Sequence, residues 1–185
     1  EVTAITVKWR HRGQSGVVVY GTKPYIPKEN VTYHHCENEA ALLTQFLSDW
    51  RGKGDYPDIV TGWNVQFFDM PYLVNRVNRV LGETAMLKFS PLGRIAQRTV
   101  TLHGRDQQVV DIRGIAILDY LELYKKFTYT QQESYRLDHI AHVELGKRKL
   151  SYDEYRSLAK LYREKDRKST RLTPVTDVSR MPSSA

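Results

Sequence analysis

Along the first third of the chain, hydrophobic and polar residues fall in short runs that predict strands. Residues 2–7 form a mostly apolar, β-rich run, and the polar residues and glycines of 12–16 separate it from a second run at 17–20. Such a pair of runs around a turn predicts a hairpin. A loop with two prolines then leads to a short strand at 31–34. The chain is therefore predicted to begin with three strands, of which the first two form a hairpin.

The rest of the chain alternates between helical and strand patterns. A first helix is predicted from Glu37 by apolar residues at helical spacing and two glycines at its end: Leu42, Leu43, Phe46, Leu47, Trp50, Gly52 and Gly54. Further helices are predicted at 71–81, 120–127, 134–145 and 152–163, and strands at 58–61, 99–102, 109–112 and 114–118. The last strand is apolar throughout, which predicts burial on both faces. This order predicts an α/β fold, with a mixed sheet flanked by helices.

Asp69 follows the strand at 58–61 and stands just before the helix that Pro71 opens. α/β folds hold reactive side chains at the carboxyl ends of their strands, because the sheet fixes such a side chain at a crevice open to solvent. Gly62 and Asn64 suit the tight turn that this placement requires. A carboxylate in this position also commonly caps a helix, and both interpretations stay open at this point.

Composition limits the classes of protein that this chain can be. A length of 185 residues, with 41% hydrophobic and 26% charged residues, suits one globular domain. No apolar run reaches the roughly 18 residues of a membrane span, so no membrane partner is predicted. Cys36 is the one cysteine, which excludes an intramolecular disulfide and favours a reducing compartment. His34 and His35 beside it suggest a metal site or an activated thiol, but the lack of further ligands at usable spacing favours a buried small residue.

The formal net charge of +7 suggests a polyanionic partner such as nucleic acid. Residues 165–185 supply +3 of this charge, and the remaining +4 is compatible with DNA binding without establishing it. From residue 168 onward the chain has few large apolar residues, two prolines and no periodicity. Residues 165–185 are therefore predicted to be a disordered or artefactual tail.

Three segments together resemble one family. Residues 61–73, Thr-Gly-Trp-Asn-Val-Gln-Phe-Phe-Asp-Met-Pro-Tyr-Leu, resemble the second exonuclease motif of family B DNA polymerases, most closely the bacteriophage type. Residues 117–127 and 134–146 resemble further stretches of the same domain, in the same order and at compatible spacing. The resemblance implies a ribonuclease H-like fold that performs 3′→5′ proofreading beside a separate polymerase domain. It makes residues 1–164 a partial exonuclease domain of a virus-encoded DNA-directed DNA polymerase, which acts in DNA replication in the cytoplasm of an infected bacterial host.

The resemblance also implies a site and its partners. Asp69 takes the place of a catalytic, metal-binding carboxylate in a site for two Mg²⁺ ions, with Mn²⁺ as an alternative; two-metal hydrolysis of phosphodiesters needs such oxygen ligands. Asn64, Phe67 and Phe68 are expected to bind the single-stranded 3′ primer end, with an aromatic ring stacked on a base. For the two phenylalanines, core packing is the alternative. Deoxynucleoside triphosphates and a sliding clamp are partners expected of regions of the parent outside this chain.

The sequence departs from the family pattern near both ends. Residues 1–8 contain no Asp-x-Glu pair of the first exonuclease motif, and no third motif with a Tyr and an Asp follows residues 162–164. The fold is therefore expected to be incomplete at both ends, with Asp69 as the only one of four family carboxylates. Other carboxylates are not obvious substitutes, and Asp119 is expected to cap the helix at 120–127; the set is Asp111, Asp119, Glu122 and Asp138. We expect this chain by itself to be inactive as a nuclease.

Two other functions stay open at this point. One is a stand-alone ribonuclease H-like nuclease, against which the polymerase-like stretch at 118–127 argues. The other is a non-catalytic module that binds single-stranded DNA in a salt-sensitive way without a metal requirement. Its contacts to the DNA backbone would come from basic residues that otherwise form a solvated surface: Lys125, Lys126, Lys147, Arg148 and Lys149.

Overall fold

The elements of the fold are taken from a computed structural model, which describes residues 1–52, 54–102 and 104–148. The strands of this part are β1 (Ala4–His11), β2 (Gln14–Gly21), β3 (Val31–His35), β4 (Ile59–Gly62), β5 (Ile95–Leu102), β6 (Arg105–Ile112) and β7 (Ala116–Asp119). Its α-helices are α1 (Glu39–Arg51), α2 (Met70–Leu81), α3 (Glu83–Met86), α4 (Tyr120–Phe127) and α5 (Leu137–Leu145). The predicted helix at 152–163, the tail at 165–185 and Lys149 lie outside the described residues.

The chain divides into two units, the first spanning Glu1–Tyr129 and the second beginning at Thr130. The first unit contains every described strand and helices α1 to α4, so the mixed α/β prediction is confirmed there. The second unit contains α5, which is shorter than the predicted helix at 134–145 and ends where Gly146 adopts a left-handed conformation, with φ 64°. In the described part of the chain, no helix has the length and apolar character needed to cross a membrane.

Strands β1, β2 and β3 form the first sheet. β1 and β2 are antiparallel, whereas β2 and β3 are parallel. The turn between β1 and β2 consists of Arg12 and Gly13 alone, and both have positive φ, at 47° and 82°. Two central residues with positive φ are what a type I′ hairpin requires. The predicted turn at 12–16 was therefore too long, because residues 14–16 already pair with β1.

Helix α1 follows the first sheet and supplies much of the core. Its N-cap is Asn38, whose side chain accepts a hydrogen bond of 2.9 Å from the backbone N–H of Ala41. Near its other end, the indole N–H of Trp50 donates a 2.9 Å hydrogen bond to the carbonyl of Phe89. The apolar face of α1 joins one continuous core with the sheet and α2. The core residues with at most 1% of their surface exposed are Leu42, Leu43, Val74, Val77, Phe89 and Ile112.

Two further strand pairs complete the first unit. β4 and β7 are parallel, and β5 and β6 are an antiparallel pair whose strands are longer than the predicted strands at 99–102 and 109–112. The prediction that β7 is buried on both faces was wrong. Ala116 and Leu118 are exposed, while Ile117 and Asp119 point into the protein. The run is apolar on both faces, but within the described residues only one of these faces packs against the core.

Candidate active site around Asp69

The segment that joins β4 to α2 is a tight left-handed turn followed by a π-turn, Val65–Asp69. Gly62 ends β4, and a side chain there would place its Cβ 3.1 Å from the Cβ of Val65. Asn64 has φ 64° and ψ 24°, in the left-handed region that Asn tolerates better than most residues. π-helical turns are rare; they occur mostly as single turns within α-helices and are frequent at functional sites. The predicted strand-to-helix exit is confirmed, and its π geometry was not foreseen.

Asp69 is the last residue of the π-turn and does not cap α2. Its backbone is helical, with φ −66° and ψ −49°, and its side chain makes no capping hydrogen bond. The backbone N–H of Met70 donates to the carbonyl of Val65, so the helical ladder runs from the π-turn into α2 without a break. Because Asp69 lies inside that ladder, the helix-cap interpretation is wrong. Asp69 is exposed, and its carboxylate is not used to cap the helix.

The environment of the Asp69 carboxyl group disfavours its charged form. Protein atoms around the group partly shield it from water, and this desolvation is the main reason that the pKa of Asp69 is raised above its usual value. A hydrogen bond from its own backbone N–H opposes the shift, and the negative charge of Asp119 adds to it. A cation bound beside the carboxylate would offset both effects, because a nearby opposite charge favours the ionised form.

Asp119 is buried at the end of β7, with 4% of its surface exposed, and accepts three backbone hydrogen bonds. Its Oδ1 accepts from the N–H groups of Leu121, at 2.9 Å, and Asn64, at 3.0 Å. Its Oδ2 accepts from the N–H of Gln66, at 3.0 Å. The predicted capping of α4 is confirmed by the bond from Leu121. The two bonds to the β4–α2 connection were missed.

Exposed aromatic side chains flank Asp69. Phe68 is 63% exposed, and its ring lies parallel to that of Tyr72, with centroids 6.3 Å apart and planes at 7°. The core-packing alternative is therefore wrong for Phe68, whereas Phe67 is partly buried. Tyr72, itself 43% exposed, was missed by the sequence reasoning. The i, i+4 spacing of Phe68 and Tyr72 was an available signal, since such residues are neighbours on a helix surface.

The described residues do not by themselves form the two-metal site that the family resemblance implies. Within 1–52, 54–102 and 104–148, no group of three or more His, Cys, Asp or Glu side chains is arranged to hold a metal ion. Both oxygens of Asp119 already accept backbone hydrogen bonds. Asp111 lies 3.6 Å from Arg113 and Glu122 lies 3.0 Å from Lys125, each in an ion pair. Within the described residues, Asp69 is therefore not part of a group that could hold a metal ion.

Two other sequence-based candidates lie away from Asp69. Cys36 directly follows β3 and is 6% exposed, which confirms the interpretation as a buried small residue. Of the basic residues proposed to contact DNA, Lys125 pairs with Glu122, and the ammonium group of Lys126 lies 5.5 Å from the centre of the Phe127 ring. Both positions fit the alternative of a solvated surface.

A shallow cavity of about 150 Å³ opens beside the π-turn. It is lined by Gln66 together with residues of β5, β6 and the segment leading through β7, including Arg98 and Asp111. Pockets that enclose a small organic ligand are typically about 300–1,000 Å³. The cavity is therefore too small to enclose a nucleotide.

Comparison with known proteins identifies relatives of this chain. Residues 5–140 match the family model for the exonuclease domain of DNA polymerase family B. The chain is 40% identical over 131 residues to the DNA-directed DNA polymerase of Enterobacteria phage T4, an alignment that covers 69% of this chain and 14% of that protein. It is 38% identical over 125 residues to the DNA-directed DNA polymerase of Escherichia phage RB69, covering 68% and 14%.

A cellular protein is also similar to this chain over a small part of its own length. The chain is 30% identical over 126 residues to the DNA polymerase delta catalytic subunit of Caenorhabditis elegans, covering 60% of this chain and 11% of that protein. The matched part of the chain thus spans 14% of the length of each phage relative and 11% of the length of the polymerase delta subunit. The residues that match the family model include the β4–α2 connection, which carries Asp69.

Proposed function

The chain belongs to DNA polymerase family B, whose exonuclease domain it carries, and we propose that it holds a single-stranded 3′ DNA end against Asp69 for proofreading. Its mixed α/β architecture is the ribonuclease H-like fold of that domain. The parent protein would extend primers from deoxynucleoside triphosphates and remove mismatched 3′ ends. Its phage relatives support an origin in a virus and action inside an infected bacterium.

The observation that carries this proposal is the position of exposed aromatic rings around an exposed carboxylate. Phe68 directly precedes Asp69, and the ring of Tyr72 stacks against that of Phe68. A base stacked on an aromatic side chain contributes about 1–3 kcal/mol of binding energy without regard to its identity. Such tolerance suits a proofreading site, which receives mismatched 3′ ends of any sequence. Asn64, at the start of the same connection, would help to set the path of the strand.

Exonuclease domains of this family depend on divalent metal ions, and Asp69 is the residue of this chain that would bind the metal. When bound, a pair of Mg²⁺ ions, or of Mn²⁺ ions, activates water and stabilises the leaving oxygen. Asp69 would supply one ligand for such a pair, and the further carboxylates would come from other parts of the parent. Polymerisation and binding of a sliding clamp would belong to the parts of the parent outside this chain.

The experiment compares two exposed phenylalanines. Phe68→Ala and Phe127→Ala remove side chains of nearly equal exposure, 63% and 68%, but only Phe68 adjoins Asp69. Binding of a fluorescein-labelled oligothymidylate to the full 185-residue chain is followed by anisotropy, in EDTA so that no cleavage occurs. We expect Phe68→Ala to weaken binding roughly tenfold and Phe127→Ala to leave it unchanged, because one stacked base is lost only in the first.

Equal affinities for wild type and Phe68→Ala would overturn the proposal. Equal weakening by both substitutions would favour the non-catalytic module, whose contacts are spread over the surface. To separate the stand-alone nuclease, the same binding measurement is followed by Mg²⁺ addition. Metal-dependent shortening by this chain alone would support that alternative.

A further inference from the structure

The carboxylate of Asp119 does more than a helix cap requires. A cap needs one side-chain oxygen, and the Oδ1 of Asp119 supplies it to the N–H of Leu121. The Oδ2 is directed instead at the N–H of Gln66, a residue 53 positions earlier in the chain, and the Oδ1 also accepts from Asn64. Burial of a carboxylate is costly unless its oxygens are hydrogen-bonded. Here three backbone donors satisfy it, and two of them belong to the connection that leads to Asp69.

The backbone of this connection transmits the position of Asn64 and Gln66 to the residues around Asp69. The N–H groups that Asp119 binds lie on either side of Val65. The carbonyl of Asn64 accepts from the N–H of Phe68 at 3.0 Å, and the carbonyl of Val65 accepts from the N–H of Met70. The residue before Asp69 is therefore hydrogen-bonded to Asn64, which Asp119 holds, and the residue after it is bonded to Val65, which lies between the two residues that Asp119 holds.

From these contacts we infer that Asp119 is a positioning residue of the exonuclease site, which fixes the π-turn so that Phe68 and Asp69 face the DNA strand together. Hydrogen bonds to a charged acceptor are shorter and stronger than those to a neutral one, which suits the attachment of a loop in a strained left-handed conformation. This inference rests on the proposed function, because it assigns Asp119 a role through the DNA-holding surface.

The test is Asp119→Asn in the full 185-residue chain. An asparagine of the same shape can keep its oxygen toward Leu121 and Asn64, but its amide NH₂ would then face the N–H of Gln66, where a donor replaces an acceptor. The control is Asn38→Ala, which removes the N-cap of α1 and lowers stability without touching the β4–α2 connection. Binding of labelled oligothymidylate is measured in EDTA, with the Tm of each variant.

We expect Asp119→Asn to weaken oligothymidylate binding at least fivefold, and Asn38→Ala to bind like wild type at a similarly lowered Tm. A general loss of stability would affect both variants alike. Removal of a negative charge near a polyanion would strengthen binding, so a loss of affinity reports altered geometry. Wild-type affinity in Asp119→Asn would overturn the inference. If Asp119→Asn does not fold, Asp119→Ser replaces it in the same comparison. Serine keeps one oxygen that can cap α4 and places no donor group against the N–H of Gln66, and we expect the same loss of binding.

A second measurement separates this inference from the proposed function. Amide hydrogen exchange is followed by NMR for Gln66 in the turn and for Tyr124 in α4. We expect Asp119→Asn to speed exchange at Gln66 at least tenfold while exchange at Tyr124 changes little. Unchanged exchange at Gln66 would overturn the positioning role. If wild type fails to bind the oligonucleotide at all, the proposed function fails, and the exchange result still decides whether Asp119 fixes the turn.

Discussion

The carboxylate of Glu39 accepts two hydrogen bonds of 2.6 Å from the guanidinium of Arg76, one on each oxygen. The pair joins the first turn of α1 to the middle of α2. Glu39 also accepts a 2.6 Å hydrogen bond from the backbone N–H of Val2. Side-chain exposure is 12% for Glu39 and 22% for Arg76, so water screens the pair little. The contact thus holds the helix that follows Asp69 against the helix that supplies much of the core.

Loss of the Glu39 charge should destabilise the protein in a pH-dependent way. The hydrogen bonds from Arg76 lower the pKa of Glu39 to about 2, from an ordinary value of 4.5. A lowered pKa stabilises the folded state fully above pH 4.5, and this contribution is lost as pH falls through about 2. At pH 7 we expect Glu39→Gln to cost about 2–4 kcal/mol in urea unfolding. The cost should shrink toward pH 2.

The control for this prediction is Glu122→Gln, which breaks an exposed pair with Lys125. Exposed pairs contribute little, so its cost at pH 7 should stay below about 1 kcal/mol. A cost of Glu39→Gln that is the same at pH 7 and pH 2 would contradict the assigned role of its charge.

Replacement of Asp69 by Asn should stabilise the chain slightly at neutral pH. Because desolvation and the charge of Asp119 raise the pKa of Asp69, ionisation of this group opposes folding above its folded-state pKa. An uncharged side chain avoids that cost. We expect Asp69→Asn to raise the Tm on the order of 1 °C at pH 7, as functional residues often carry a stability cost. The gain should shrink as the pH falls through 3.8, the ordinary pKa of this group, because the carboxyl then becomes protonated in both the folded and the unfolded state.

Thermal unfolding at pH 7 and pH 3 measures this effect, with Asp58→Asn as the control for a general change of net charge. Asp58 is an exposed carboxylate just before β4, outside the π-turn. A lower Tm for Asp69→Asn at pH 7 would show that the Asp69 carboxylate stabilises the fold, contrary to the prediction.

The loop before β7 should depend on the absence of a side chain at Gly114. Its φ is +95°, and a Cβ there would lie 2.5 Å from the Cγ of Pro91. Gly93 also has positive φ, at +62°, but a Cβ there would meet nothing within 4 Å. We expect Gly114→Ala to cost about 2–4 kcal/mol in urea unfolding, and Gly93→Ala only about 1–2 kcal/mol. Equal costs would mean that Pro91 moves aside without penalty.

The chain alone should not shorten DNA. One exposed carboxylate holds a pair of divalent ions poorly, because such sites need several oxygen ligands on each ion. Purified chain incubated with 5′-labelled single-stranded DNA and Mg²⁺ should leave the label at full length on a sequencing gel. Stepwise 3′→5′ shortening that Asp69→Ala abolishes would contradict this prediction and would mean that other carboxylates of the chain reach the site.

Local chemistry explains which elements could be predicted. Helix α4 was predicted with its observed bounds, because Asp119 caps it and the apolar spacing continues to Phe127. The exit from β4 was predicted because glycine and asparagine are residues that tight turns favour. The turn at Arg12 was misjudged because an arginine with positive φ is uncommon, and the polar residues after it also fit a loop. The exposed face of β7 could not be predicted, because its residues are apolar on both sides.

The sequence by itself determined the family, the α/β class and the choice of Asp69 as a candidate residue, because these depend on residue types at fixed spacing within short segments. Only the tertiary structure decided how Asp69 and its neighbours are placed. The π-turn, which the sequence did not predict, continues the backbone hydrogen bonds of α2 through Asp69, so Asp69 does not cap this helix. The hydrogen bonds from Asn64 and Gln66 to Asp119 join residues more than 50 positions apart. Such contacts arise from the parallel pairing of β4 with β7, which brings Gly62 opposite Asp119, and no local pattern records that pairing.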